Sequence, residues 1–304
     1  MNHKKKLIEI LNKIPYVRGL YNEKLNFEKN SCFPPGHFYS SIIEVDNIKE
    51  RQDEIWSEEL IDGINGIDLK TQEQLELVRS FQTYYNEIPF EDDKKQNLRY
   101  YFKNDYYSYT DAIFLYSMIR KHCPKKIIEI GSGFSSSVML DTNELFFNNK
   151  IDLTFIEPYT DRLNLLIRDS DHKSTNIIES PVQKVPIDVF ESLNPGDILF
   201  IDSTHVVKTG SDVNYILFKI LPKLKKGVLI HFHDIFYPFE YPKEWVFMGR
   251  NWNEIYFLKA FLMYNNEFEI KLFSHYLHTH FNNIFDNMPL CYRNFGGNMW
   301  IEKK

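Results

Sequence analysis

Ile127-Ile-Glu-Ile-Gly-Ser-Gly-Phe-Ser-Ser136 decides how this chain is read. An apolar run ends in an acid, a Gly-x-Gly turn follows, and a serine-rich helix start comes next. Gly131 and Gly133 let the backbone turn tightly and approach a ligand closely. Ser135 or Ser136 can cap the helix that follows. A glycine-rich turn alone also serves purely structural ends. The carboxylate of Glu129 adds weight to a binding role, because it stands at the open end of a strand expected to be buried.

On the C-terminal side, short apolar runs alternate with helical ones. Strands are expected at about 126–130, 153–156, 176–178, 197–201 and 227–232, with helices near 135–147, 159–168 and 211–221. A helix near 252–264, a strand near 267–273, an aromatic insertion and a last strand near 298–302 complete the chain. Such alternation builds a mainly parallel sheet with helices on both faces. On the N-terminal side, Leu7, Ile8, Ile10, Leu11 and Ile14 share one helical face that ends near Pro15. Cys32-Phe-Pro-Pro-Gly-His-Phe-Tyr39 is rich in turns, and helices are expected at about 48–56, 71–85 and 110–122. The expected division is an N-terminal helical cap over residues 1–110 and a cofactor-binding domain over 111–304.

In such a sheet, ligands bind beyond the carboxyl ends of the strands. Those ends carry the Glu129–Gly133 turn, Glu157, Asp202-Ser-Thr-His205 and His231-Phe-His-Asp234. A nicotinamide fingerprint wants a third glycine where this chain has Ser136. An acid ahead of the first glycine would also repel a pyrophosphate. It suits a cationic or amino-bearing ligand such as S-adenosylmethionine, which has a sulfonium and an ammonium and no phosphate. Glu157 closes the second strand, where a carboxylate can accept bonds from both ribose hydroxyls. Its other reading is an exposed strand-end glutamate.

Over residues 107–303 the chain resembles the class I S-adenosylmethionine-dependent methyltransferases, most strongly at 126–136, 153–157, 197–205 and 227–236. More narrowly, it is similar to the O-methyltransferases of polysaccharide and secondary-metabolite biosynthesis, including macrocin-type sugar O-methyltransferases. Phe33-Pro-Pro-Gly-His-Phe-Tyr39 resembles an N-terminal feature of the bacterial members. The resemblance implies a Rossmann-like α/β fold with a seven-stranded sheet. Its final strand, near Gly297-Asn-Met-Trp-Ile-Glu302, would be antiparallel. It further implies that Glu129, Gly131 and Gly133 hold the methionine part and Glu157 the ribose. Residues 178–183 would flank the adenine, and Asp202 would lie beneath the methyl-transfer site. Ser132, Ser135, Pro158, Gln183 and Ser203 complete the implied cofactor-binding set.

The chain also departs from the family pattern. The third small residue of the turn is Ser135 rather than glycine. Metal-dependent members commonly carry Asp-Asp/Gly-x-His after the fourth strand, where this chain has Asp202-Ser-Thr-His205. Many carry Asp-Asp or Asp-Asn after the fifth, where this chain has His233-Asp234. Asp202 and Asp234 end strands expected to be neighbours, so they must share a proton or hold a cation. Oxygen donors there favour Mg²⁺ or Mn²⁺ over Zn²⁺. His205 has the neutral-range pKa of a general base for a hydroxyl acceptor. His233 is a second candidate, or a ligand. Each of these, like His231, can also be a structural imidazole.

Tyr107, Tyr109, Phe134 and Phe236 stand where rings could stabilise a sulfonium by cation–π contact. His37, Tyr39, Tyr107, Tyr109, His233 and Phe236 are the expected acceptor wall, with loops 104–109 and 236–242 as a lid. Of the 304 residues, 25 are Phe, 19 Tyr and 4 Trp, and clusters fall in 33–39, 101–109 and 232–247. A net charge of −6 offers no basic field for nucleic acid. Lys4–Lys6 and Lys223–Lys226 read as solvated helix faces. Three cysteines without CxxC spacing point to a reducing, cytoplasmic setting. No run of about 18 apolar residues spans a membrane, and the basic start lacks a signal peptide's apolar core. The expected activity is methyl transfer to a hydroxyl of a sugar or related metabolite, by a chain compatible with homo-oligomers. The alternatives are another enzyme on this fold, metal-dependent and hydroxylase-like or NAD-dependent, and a non-catalytic cofactor-binding protein.

Overall fold

Apolar runs too short for helices form seven strands in the computed structural model, which describes residues 13–57 and 63–304. They are β1 Lys126–Ile130, β2 Asp152–Ile156, β3 Asn176–Ile178, β4 Ile198–Ile201, β5 Leu229–Phe232, β6 Phe268–Phe273 and β7 Met299–Lys303. The sheet order is β3-β2-β1-β4-β5-β7-β6. The first five strands pair in parallel, and β7 lies antiparallel between β5 and β6. Every residue of β4 and β5 is buried, which is why β4 reads as an unbroken apolar run and β5 as one interrupted only by His231. The order reverses between β1 and β4, so a crevice opens at their carboxyl ends.

Each expected strand is found to within a residue or two. The helices differ more. Pro15 opens the helix Pro15–Asn30, the first-turn position that its fixed φ favours. The single helix expected near 48–56 is two, Val45–Glu50 and Gln52–Ile55. The one expected near 211–221 is a short turn Asp212–Tyr215, a wider π-type stretch Ile216–Ile220 and a 3₁₀ turn Leu221–Lys223. Pro222 lacks the N–H that a regular helix would need there. The helical face over Leu7 to Leu11 and the Lys4–Lys6 cluster lie outside the described residues.

The chain divides into two compact units: Met1–Ser57 with Lys243–Asn251, and Glu58–Pro242 with Trp252–Lys304. In the first, the Trp56 and Phe247 rings meet edge-on at 5.8 Å and the Ile43 N–H donates to Asn251 at 3.0 Å. The second holds the sheet and begins earlier than the boundary near residue 110 expected from sequence. Arg99 is the reason. Its buried guanidinium reaches Asp141 at 2.8 Å, Glu144 at 2.7 Å and Asp171 at 2.5 Å. Its N–H and that of Tyr100 also donate to Asp141. Losing one partner would leave a buried charge uncompensated, so this network ties the segment before residue 110 to the helix Phe134–Phe147. Among the described residues no helix is long and apolar enough to cross a membrane.

Candidate functional site

The chain leaves β1 through Gly131, whose φ of +82° is left-handed. A Cβ at Gly131 would stand 1.7 Å from the Asp202 carbonyl oxygen, so the close approach of the β1 and β4 ends admits only glycine. The Gly133 N–H donates to Ser136 Oγ at 3.0 Å and starts the helix Phe134–Phe147. Ser135 Oγ donates to Glu129 at 2.6 Å, and Ser136 Oγ donates to the other oxygen of the same carboxylate. Glu129 is therefore a brace under the turn and is fully buried. Burial pushes its pKa up from the ordinary 4.5 to about 8, against the opposing pull of the serine hydroxyls. A raised folded-state value contributes stability below about 4.5 that is lost as pH rises through about 8. Urea titrations of the ligand-free chain should thus show stability falling across that window. Glu129→Gln should flatten the slope, and an unchanged slope in the variant would refute this assignment.

Beside the turn lies a cavity of ≈ 350 Å³, within the range of small-ligand sites. Gly131, Glu157, Pro158, Gln183, Asp202 and Ser203 all line it. Glu157 is fixed by two backbone donors, Ser132 N–H at 3.1 Å and Tyr159 N–H at 2.8 Å. Gln183 Nε2 donates to the Gly210 carbonyl at 3.0 Å. Its Oε1, like Ser203 Oγ, has no partner among the described residues. A buried polar atom left unmatched costs about 1–3 kcal/mol, so these atoms suit a polar ligand. Glu129, Gly133 and Ser135 are not part of this lining; they shape the turn that is.

Asp202 follows β4 and Asp234 follows β5. With His233 they each offer one ligand atom, all within 4.8 Å of one another. His205, at φ +59°, places Nε2 3.4 Å from Asp202 and 3.5 Å from Asp234. Its Nδ1 is 2.9 Å from Glu254, a buried carboxylate. The ring lies 4.4 Å from that of Trp252, and the N–H groups of Asn253 and Glu254 donate to the His205 carbonyl at 3.0 and 3.1 Å. Trp252, Asn253 and Glu254 thus clamp His205. None of them is legible in the sequence as a functional residue, because an acid in the first turn of Glu254–Leu262 reads as an ordinary helix start.

The electrostatics change the role expected for His205. Burial alone would lower its pKa, but Asp202, Glu254 and Asp234 outweigh burial and hold it well above 6.5. His233 is raised in the same way, burial being overcome by Asp234, Asp202 and Asp111. Burial would raise Asp202, but His233 and His205 hold it below the ordinary value, with help from Arg162. The expected neutral base is therefore an imidazolium set between carboxylates, and Asp202 is the ionised group. His231 is structural. It is stacked 4.0 Å from Phe200 and lies 4.8 Å from Trp300, and burial keeps it neutral.

The expected acceptor wall is only partly assembled. Tyr107 lies 5.1 Å from His233 but is buried against Phe200. Tyr109 stacks on Phe102 at 5.2 Å and turns its hydroxyl to Asp92. Phe236 packs beside His275 and over Gly297. Tyr237, Phe239 and Tyr241 of the expected lid are buried, so these rings build core rather than a cover. His37 and Tyr39 belong to the other unit, where His37 stacks on Phe33 at 4.8 Å and on Phe38 at 4.4 Å.

Residues 128–235, which span β1 to β5, match the family described as "Methyltransferase domain". An uncharacterised protein of Archaeoglobus fulgidus is 33% identical over 189 residues, covering 60% of this chain and 84% of that one. Among solved structures, an S-adenosylhomocysteine-bound methyltransferase of Podospora anserina is 14% identical (80% of this chain, 100% of that one; TM-score 0.43). An O-methyltransferase of Bacillus cereus in complex with the same compound is 11% identical (86% and 100%; TM-score 0.38). The family match falls on the glycine turn and the strand ends described above. Residues 128–235 thus match the methyltransferase-domain family, on a seven-stranded sheet of the Rossmann-like methyltransferase fold.

Proposed function

We propose that this chain methylates a hydroxyl of a sugar or related small molecule, with S-adenosylmethionine as donor. The observation that carries the reading is the cavity beside Gly131. Its Glu157 carboxylate is preset to accept from a ribose diol, and its unmatched Gln183 Oε1 is an acceptor for an amino group. When bound, the cofactor supplies a methyl group on a positively charged sulfur. The chain's own residues then have three tasks: to hold the acceptor oxygen in line with that methyl, to exclude water, and to take the hydroxyl proton. Asp202 lines the cavity and is ionised, so it is the carboxylate placed to accept the hydroxyl proton; its lowered pKa makes it a weak base that takes the proton only as the oxygen–methyl bond forms. His205 and His233 hold that carboxylate in place and balance its charge. Asp202, Asp234 and the deprotonated form of His233 also make a donor set of the kind that suits a divalent ion, which would have to displace the proton that these carboxylates hold on His233. They would hold Mg²⁺ or Mn²⁺, whose chemistry there would be polarisation of the acceptor oxygen.

The narrower parts of the reading rest on the sequence resemblance. They are a sugar acceptor and a role in polysaccharide biosynthesis; a cytoplasmic setting rests instead on the three cysteines without CxxC spacing. The test is incubation with methyl-labelled S-adenosylmethionine and a panel of nucleotide sugars and glycan precursors. Label transferred to a sugar hydroxyl supports the reading. Label that goes only to nitrogen or carbon acceptors in a wider panel overturns it.

A further inference from the structure

The cavity and its surroundings are strongly acidic. Glu157, Asp202 and Asp212 all stand in its wall. On the reading above, the donor's ammonium and sulfonium are welcome there, but its α-carboxylate is not. That carboxylate needs a cation of its own, since two like charges about 4 Å apart repel by roughly 1 kcal/mol even in water and more in a protein.

One cation stands at the turn. Arg162 is on the helix Asp161–Leu166, and its Cδ is 3.4 Å from where a Cβ on Gly133 would be. Among the described residues it forms no ion pair. Instead the guanidinium lies over the Tyr106 ring at 4.0 Å, and Tyr106 is stacked on Phe134 at 5.7 Å with an interplanar angle of 15°. Phe134 follows Gly133 directly and opens the helix Phe134–Phe147. Phe134, Tyr106 and Arg162 thus form one stack standing on the first residue after the glycine turn. A guanidinium whose face is covered by a ring keeps its N–H donors free along the edge, in the fork that matches a carboxylate. The stack holds Arg162 on site at low entropic cost while leaving that edge unused. Asn104 Oδ1 accepts from the Tyr106 and Tyr107 N–H groups at 3.0 and 2.7 Å, which fixes the loop bearing the middle ring.

We infer that Arg162, carried on Tyr106 and Phe134, is the carboxylate-reading residue of this site and makes it selective for adenosyl ligands that bear an amino-acid tail. The inference deepens the proposed function and depends on it. The test compares two ligands by titration calorimetry: S-adenosylhomocysteine, which has the α-carboxylate, and 5′-methylthioadenosine, which lacks the amino-acid tail. Arg162→Ala should weaken S-adenosylhomocysteine about 10- to 100-fold, the range for a charge-assisted pair, and leave methylthioadenosine within about twofold. Arg162→Lys should recover only part of the loss, because an ammonium neither stacks nor forks. Tyr106→Ala should give a smaller loss in the same ligand-selective sense. Equal weakening of both ligands by Arg162→Ala, or no weakening of either, would overturn the inference while leaving the cofactor assignment intact. If the wild-type chain bound neither ligand, the cofactor assignment itself would fall, and this inference with it.

Discussion

Gly131→Ala should cost about 4 kcal/mol of stability and abolish cofactor binding. Two separate penalties add at this position. The residue sits at φ +82°, where a side chain is strained by roughly 1–3 kcal/mol. The new methyl would also stand 1.7 Å from the Asp202 carbonyl oxygen, which is backbone and cannot rotate away. Relief requires parting the ends of β1 and β4, and Asp202 moves with them. Gly196→Ala is the control. It has φ +86° and nothing within 4 Å of where the new methyl would stand, so it should show the strain alone, about 1–3 kcal/mol. Urea midpoints of the two variants separate the penalties. Equal losses would mean that the close approach of the strand ends contributes nothing.

His205→Ala should lower kcat by about 10²- to 10⁴-fold while leaving S-adenosylhomocysteine affinity within a few-fold. His205 does not line the ≈ 350 Å³ cavity, so it adds little to cofactor affinity. Its task is charge. Nε2 lies 3.4 and 3.5 Å from Asp202 and Asp234, and removing the imidazolium leaves His233 as the remaining cation facing both carboxylates. With one positive charge fewer, Asp202 loses part of the stabilisation of its ionised state and the hydrogen bond that orients it. Glu254 holds Nδ1 at 2.9 Å, so the position of the ring depends on a residue from a distant part of the chain. The measurement is a kcat and KM comparison on a confirmed acceptor. A variant with unchanged kcat and a raised cofactor KM would place His205 in binding rather than in proton transfer.

The parts of this molecule legible from sequence are those governed by short-range rules. Short, mainly apolar runs locate β1 to β5, and the acid and glycines after Ile128 locate the crevice. Gly131, Glu157, Gln183, Asp202 and Ser203 do line one cavity. What escapes a sequence reading depends on distant contacts. Arg99 draws the segment before residue 110 onto the sheet through Asp141 and Asp171, which no local pattern announces. Glu254 and Trp252 reach His205 only because the chain returns after the Lys243–Asn251 excursion. The protonation of His205 follows from three carboxylates brought together by folding, so its ordinary pKa misleads. The aromatic excess suggests a lid, yet Tyr107, Tyr237, Phe239 and Tyr241 are buried. Composition counts rings but does not say which way they face.

Titration calorimetry of the wild-type chain with S-adenosylhomocysteine and, separately, with NAD⁺ tests the central claim most directly. The carboxylates at Glu157, Asp202 and Asp212 favour a ligand without phosphate and disfavour a pyrophosphate. Saturable binding of S-adenosylhomocysteine at micromolar concentration is expected, and none of NAD⁺ under the same conditions. Preferred binding of NAD⁺, or no binding of S-adenosylhomocysteine, would contradict it.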